Sequence, residues 1–317
     1  MNYRNLGKHG VRVSEVSLGS WITYGGTTDE ATAATCIQKA FDLGINFFDT
    51  ADVYENGAAE TVLAAALAGV ERKDYVLATK CYFPMSDRPN DCGLSRKHIV
   101  ESVHASLRRL RTDYIDLYQC HRWDTDTPLE ETLSAMDDLI RQGKILYWGT
   151  SMWTAEQLAD ACDLAAGRNR YPPASDQPCY NMLKRDVETD GRLAFYGRER
   201  LGVVIFSPLA QGVLTGKYLP GAPPPAGSRA TFRSGARFIG RMVADRALLV
   251  RVQALVPIAQ DLGCSMSQLA LAWVLRRPEV SCVIIGASRP EQIEDNVEAC
   301  DVRLTEAVLS RIDEALK

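Results

Sequence analysis

VLATKCYFPMSDRPNDCGLSRKHIVESVHASLRRLRTDYIDLYQCH, residues 76–121, contains the unit from which the rest of the chain is built. It begins with a short β-rich run, Val76–Lys80, and ends with another, Ile115–His121. Between them Ile99, Val103, Leu107 and Leu110 fall on one face of a 3.6-residue period, and Ser95 stands where a helix N-cap belongs. Strand, helix, strand in that order is a βα crossover, which makes the two strands parallel.

The pattern recurs on both sides. Upstream lie the runs Val16–Gly19 and Asn46–Asp49; downstream lie Ile145–Thr150, Ala174–Gln177, Val203–Ser207 and Cys282–Gly286. Leu129, Leu133, Met136 and Ile140 form a second apolar helix face, Asp29 suits an N-cap, and Gly44 and Gly143 follow helix ends. Six of the seven intervals between run starts are about 30 to 40 residues, the size of one βα unit. Eight such units imply a parallel sheet covered by helices, either an open doubly wound sheet or a closed barrel. No two of the 23 glycines are spaced G-x-G, so the dinucleotide fingerprint of the open sheet is absent. The expected fold is an α/β (β/α)8 TIM barrel, one domain over 1–317. Two departures accompany it. Tyr3–Ser14 reads as an N-terminal β-hairpin around Gly7 and Gly10, placed to plug the barrel floor. After Ser207 roughly forty residues are expected to pass before the next helical pattern, with a Pro/Gly-rich middle, Pro220–Gly227, and an arginine series, Arg229, Arg233, Arg237 and Arg241.

Composition narrows the function. The 317 residues are 46 % hydrophobic and 24 % charged with a formal charge of −4, which is an ordinary globular balance and no nucleic-acid footprint. No apolar run approaches a membrane span and the polar start lacks a secretory leader, so the expected location is cytoplasmic and the expected partner is a small molecule. Nine scattered cysteines contain no C-x-x-C pair; they read as free thiols, and no metal site is expected.

In a barrel of this kind the C-terminal strand ends face the site. Those ends supply Asp49, Lys80 and His121, and Tyr54 follows just past Asp49. Each alone reads as an ion-pair member, a packed tyrosine or a core histidine. Together they form a proton-donating group. A nearby ammonium favours phenolate and so lowers the tyrosine pKa, Asp49 keeps that ammonium charged, and histidine orients a carbonyl oxygen.

Three segments carry a resemblance. GINFFDTADVYENGAAE (44–60), VLATKCY (76–82) and SLRRLRTDYIDLYQCH (106–121) resemble, in order and at matching intervals, motifs of the aldo-keto reductase superfamily. The resemblance covers nearly the whole chain. It implies that Tyr54 is the general acid, that Lys80 and Asp49 tune it, and that His121 positions the carbonyl. It implies a nicotinamide cofactor, NADPH with NADH possible, bound without a Rossmann domain. Matched positions for that cofactor are Gly19, Ser20, Trp21, Asp49, Ser151, Gln177 and Phe206, then Ser207, Pro208, Leu209, Gln211, Lys217 and Arg229. The segment VIIGASRPEQIEDNVEA (283–299) adds Gly286, Ser288, Arg289 and Gln292 toward the adenosine 2′-phosphate, with Asp295 and Asn296 toward the adenine. Many relatives have a lysine where this chain has Gly286 and Ala287. Without the resemblance, Lys217, Arg229 and Arg289 would read as solvated charges.

GTSMWTAEQL (149–158) and SPLAQGVLTGKY (207–218) are most similar to the branch holding potassium channel beta subunits and related bacterial NADPH-dependent aldehyde reductases. Those channel subunits usually carry asparagine at the position of His121, so the expected function is NADPH-dependent reduction of aldehydes or ketones. The alternatives are an NADPH-binding regulatory or redox-sensing barrel with little turnover, and a Schiff-base lyase using Lys80. The substrate pocket is expected to comprise Trp21, Tyr54, Tyr82, Phe83, His121, Trp123 and Met152. Relatives often assemble, so a homo-oligomer is possible.

Overall fold

Eight strands close on themselves: β3 (Val16–Gly19), β4 (Phe47–Asp49), β5 (Val76–Cys81), β6 (Ile115–Cys120), β7 (Ile145–Ser151), β8 (Ser175–Gln177), β9 (Gly202–Ile205) and β10 (Val280–Ile285). Neighbours pair in parallel in that order, and β10 pairs with both β9 and β3 to complete the barrel. The computed structural model describes residues 1–21, 26 and 28–317. All six residues of β5 and all six of β6 are buried, as a parallel sheet covered on both faces requires.

Two short antiparallel strands, β1 (Tyr3–Asn5) and β2 (Arg12–Ser14), precede the barrel and seal its floor. Leu6 and Val13 pack there with Phe47, Val76, Leu117 and Val204. The seal is tight. A Cβ at Gly7, whose φ is +57°, would lie 2.3 Å from the Arg200 carbonyl oxygen, and one at Gly202 would lie 2.7 Å from Leu6. The hairpin and the eight units match the sequence reading.

Helices α1 (Glu30–Asp42), α2 (Ala58–Ala66), α3 (Arg96–Leu110), α4 (Leu129–Arg141), α5 (Ala155–Gly167) and α6 (Arg192–Glu199) follow successive strands. Asp29 caps α1 by accepting from the Thr32 amide, and Ser95 caps α3 by accepting from that of His98. Where a long irregular cover was expected after Ser207, the chain turns helical sooner. A 3-10 segment occupies Ala210–Thr215, and α7 (Arg233–Ala244) and α8 (Arg246–Gln253) follow. The arginine series misled by its charge: Arg233, Arg237 and Arg241 recur every four residues on α7, whose Ile239 is fully buried. Helices α9 (Val256–Asp261), α10 (Met266–Leu275), α11 (Pro290–Val297) and α12 (Glu306–Ala315) finish the outer layer. No single helix among the described residues is long and apolar enough to cross a membrane.

Candidate active site

Asp49 ends β4, Lys80 lies near the end of β5, and His121 follows β6 with its amide donating to the Cys81 carbonyl oxygen at 2.9 Å. Parallel pairing therefore brings the three to one rim. Tyr54 is carried there by a tight turn, Tyr54–Gly57, in which Glu55 and Asn56 take left-handed φ of 47° and 52°. The Lys80 ammonium is fully buried. It donates to Asp49 Oδ1 at 2.6 Å and to the Thr50 carbonyl at 2.7 Å, and lies 3.5 Å from the Tyr54 hydroxyl oxygen, the outer limit of a hydrogen bond. The second Asp49 oxygen accepts from Gln177 Nε2 at 2.9 Å and more weakly from Gln119 Nε2 at 3.4 Å. The Tyr54 and His121 rings meet edge to face with centroids 5.8 Å apart.

Electrostatics set the protonation states. Burial alone would push Lys80 down, but the Asp49 carboxylate and Tyr54 outweigh it and hold the ammonium above its ordinary value. Burial raises the Tyr54 phenol, with Lys80 pulling the other way and Asp49 adding to the rise. The net direction is thus opposite to the lowering inferred from the Lys80 contact alone. Desolvating a phenolate costs more here than one ammonium returns while that ammonium also serves Asp49. The phenol is therefore a proton holder at rest, and its conjugate base would form beside a fixed cation. Burial, then the charges of Lys80 and Arg122, hold the His121 imidazole far below its ordinary value, so it is neutral. Its Nδ1 is buried without a partner.

A cleft of about 1430 Å³ opens over this group. It is lined by Gly19, Trp21, Asp49, Tyr54, His121, Ser151 and Gln177 at the strand ends, and by Phe206, Ser207, Pro208, Leu209, Gln211, Lys217 and Arg229 beyond β9. Gly286, Ser288, Arg289, Gln292, Asp295 and Asn296, from the β10 end through α11, line it too. Lys80 and Ser20 sit beneath the wall, Ser20 donating to Thr50 Oγ1 at 2.8 Å. Of the expected aromatic pocket, Trp21, Tyr54 and Phe83 line the cleft, while Tyr82, Trp123 and Met152 do not. Trp123 packs edge-on against Trp153 at 4.6 Å, and Met152 Sδ accepts from the Cys179 amide at 3.3 Å. Sequence reading missed Glu55, Arg122, Phe232, Arg237 and Phe238, all on the wall. Arg122 could have been found as the neighbour of His121. The other three downstream residues were hidden in a stretch taken for irregular cover.

Among the cations lining the cleft are Lys217, Arg229 and Arg289. Burial in the wall, then repulsion from Arg229 and Arg289, lowers Lys217, which makes no ion pair among the described residues. Arg229 donates to Gln211 and stands 5.5 Å from the Trp21 ring. Ser207, Ala210 and Gln211 hold left-handed φ of 54°, 47° and 60°, so backbone strain concentrates on this segment as it does at Glu55 and Asn56. Lys217, Arg229 and Arg289 on one cleft could meet the phosphates of a dinucleotide. Asp295, expected at the adenine, is engaged by Ser265 Oγ at 3.1 Å and Gln268 Nε2 at 2.9 Å.

Two buried acids, Asp52 and Glu60, flank the Tyr54 turn in the chain. Glu60 accepts from Thr79 Oγ1 and Arg109 Nε, both at 2.6 Å. Asp52 accepts from Ser102 Oγ at 2.8 Å through one oxygen and leaves the other without a partner. Burial raises the Asp52 carboxyl to about 7. The folded state therefore holds a proton that the unfolded chain releases near pH 4. This contribution to stability is complete below that pH and lost as pH climbs through about 7. Asp52→Asn should raise the melting temperature at pH 8 and change it far less at pH 5. The gain at pH 8 is up to roughly 4 kcal/mol. Equal shifts at both pH values would refute the assignment.

The sequence of residues 15–317 matches the Aldo/keto reductase family. The chain belongs to that family. A "Probable voltage-gated potassium channel subunit beta" of Arabidopsis thaliana is 44 % identical over 322 residues, covering 100 % of this chain and 97 % of the relative. A protein of the same description from Oryza sativa subsp. japonica is 44 % identical, covering 99 % and 96 %. A "Putative voltage-gated potassium channel subunit beta" of Schizosaccharomyces pombe is 43 % identical, covering 99 % and 93 %. This aldo/keto reductase is an oxidoreductase barrel of the channel-beta-like branch, in a family that takes a nicotinamide cofactor.

Proposed function

We propose that the protein reduces aldehydes and ketones to alcohols with NADPH, and that Tyr54 is the general acid. The observation that carries this reading is the Lys80 ammonium, 2.6 Å from Asp49 and 3.5 Å from the Tyr54 hydroxyl under an open cleft. The dinucleotide, when bound, supplies the hydride. The carbonyl oxygen lies against Tyr54 and the neutral His121, which holds it by a hydrogen bond. Lys80 faces the phenolic oxygen, so the phenol's own hydrogen is free to point at the substrate. As negative charge develops on the carbonyl oxygen, the proton passes from Tyr54 and the new phenolate is met by Lys80. Asp49 and its two glutamines keep that ammonium fixed and charged. Lys217, Arg229 and Arg289 would hold the phosphates, with Arg289 favouring NADPH through its planar fork. Ser151 and Gln177 would face the carboxamide and Phe206 the nicotinamide ring.

The test is loss of nicotinamide absorbance with small aldehydes, NADPH and NADH side by side. Turnover with a lower KM for NADPH is the expected result. Cofactor binding without turnover of any carbonyl would favour the alternative reading, an auxiliary redox-sensing barrel, the relatives being described as channel subunits. A single-domain protein, free in the cytoplasm or as a homo-oligomer, completes the proposal.

A further inference from the structure

The wall of the cleft carries a cation, Arg122, that helps keep His121 neutral but neither gives nor takes the transferred proton. Arg122 directly follows His121, is half-buried, and lines the cleft. Its Nη1 donates to the His121 carbonyl oxygen and lies 3.5 Å from Ser151 Oγ, and its guanidinium carbon stands 5.4 Å from the Phe83 ring centroid. Among the described residues it forms no ion pair. Most of its five donors are therefore uncommitted, within a partly desolvated wall where a charge acts more strongly than at the surface.

We infer that Arg122 determines specificity for aldehydes and ketones that carry a carboxylate a few bonds from the carbonyl. This rests on the reductase reading of the same site. The guanidinium is placed by contacts to His121 on one side and Ser151 on the other, beside the position a carbonyl takes against Tyr54. Phe83 meets the His121 ring edge-on at 4.9 Å and supplies an apolar wall between the two polar ends. A short carbon body on that wall, with its carbonyl at Tyr54, extends its acid group to the Arg122 fork. Glu55, a carboxylate of the cleft wall, is exposed to solvent and its repulsion is screened, and the buried Asp176, whose charge also reaches Arg122, is engaged by Thr150 and Tyr196.

The cofactor-loaded enzyme is assayed with matched pairs, 4-oxobutanoate against butanal and 4-carboxybenzaldehyde against benzaldehyde. The wild type should prefer each acid by about ten-fold or more in kcat/KM, a charge-assisted fork contributing on that scale. In Arg122→Met that preference should collapse, chiefly through KM for the acid, and Arg122→Lys should restore part of it. Because a variant can fail to fold, the wild type is also tested for inhibition of benzaldehyde reduction by benzoate and by benzamide. Benzoate should compete and benzamide should not. No preference for acids, or equal inhibition by both compounds, overturns the inference while leaving the reductase reading intact. A rise in KM for NADPH instead would assign Arg122 to the cofactor and likewise overturn it. Binding of NADPH without reduction of either neutral aldehyde or either acid would remove the reductase reading and this inference with it.

Discussion

Tyr54→Phe should lower kcat for carbonyl reduction by about 100- to 10,000-fold, the usual contribution of a positioned general acid. The same variant should bind NADPH nearly as the wild type does. The reason is local. The ring stays where it is, packed edge to face with His121 at 5.8 Å, and one oxygen leaves. Lys80 keeps its two short contacts at 2.6 and 2.7 Å, so the buried ammonium is still satisfied and the fold should be little affected. What disappears is the only hydroxyl beside that ammonium at the cleft surface among the described residues. Single-turnover kinetics with preloaded cofactor, alongside quenching of protein fluorescence by NADPH, separates the two effects. Rates within a few-fold of wild type would sink the general-acid role. A matching loss of cofactor affinity would show that Tyr54 shapes the cleft instead of donating a proton.

The architecture was legible because its signals are periodic. Eight β-rich runs with helical patterns between them leave few topologies, and each run became a barrel strand within one or two residues at its ends. The strand-end position of Asp49, Lys80 and His121 was equally legible, since parallel pairing turns chain order into spatial adjacency. Two kinds of information were not. The Tyr54 pKa depends on how completely the phenol is desolvated, a three-dimensional quantity that a neighbouring lysine in the sequence does not reveal. The cleft's far wall depends on α7, where Arg237 and Phe238 stand on an element whose charge pattern resembled exposed cover. Tyr82, Trp123 and Met152 were drawn toward the pocket by residue type and proximity to strand ends. For Met152 the backbone decided otherwise: its φ of 61° is left-handed and its sulfur turns to Cys179, while Trp123 packs on Trp153.

Lys80→Met should be costlier to the fold than Tyr54→Phe, and more revealing. Its side chain is fully buried and that of Asp49 is 4 % exposed, so removing the ammonium strands a carboxylate away from water. Breaking a buried pair from one side costs about 3–5 kcal/mol. The two glutamine contacts to the other Asp49 oxygen soften that loss without cancelling a charge. The wild-type ammonium, held above its ordinary value, stays charged from pH 5 to pH 8, so the deficit should appear at both. Adding Asp49→Asn to Lys80→Met removes the stranded charge and should recover most of the melting temperature at pH 8. It should recover none of the activity, because the cation that meets the developing phenolate is still missing. Denaturation midpoints at the two pH values, with kcat for one aldehyde, complete the cycle. If the double variant regained activity together with stability, Lys80 would be a structural cation only, and protonation of the substrate would have to be assigned elsewhere.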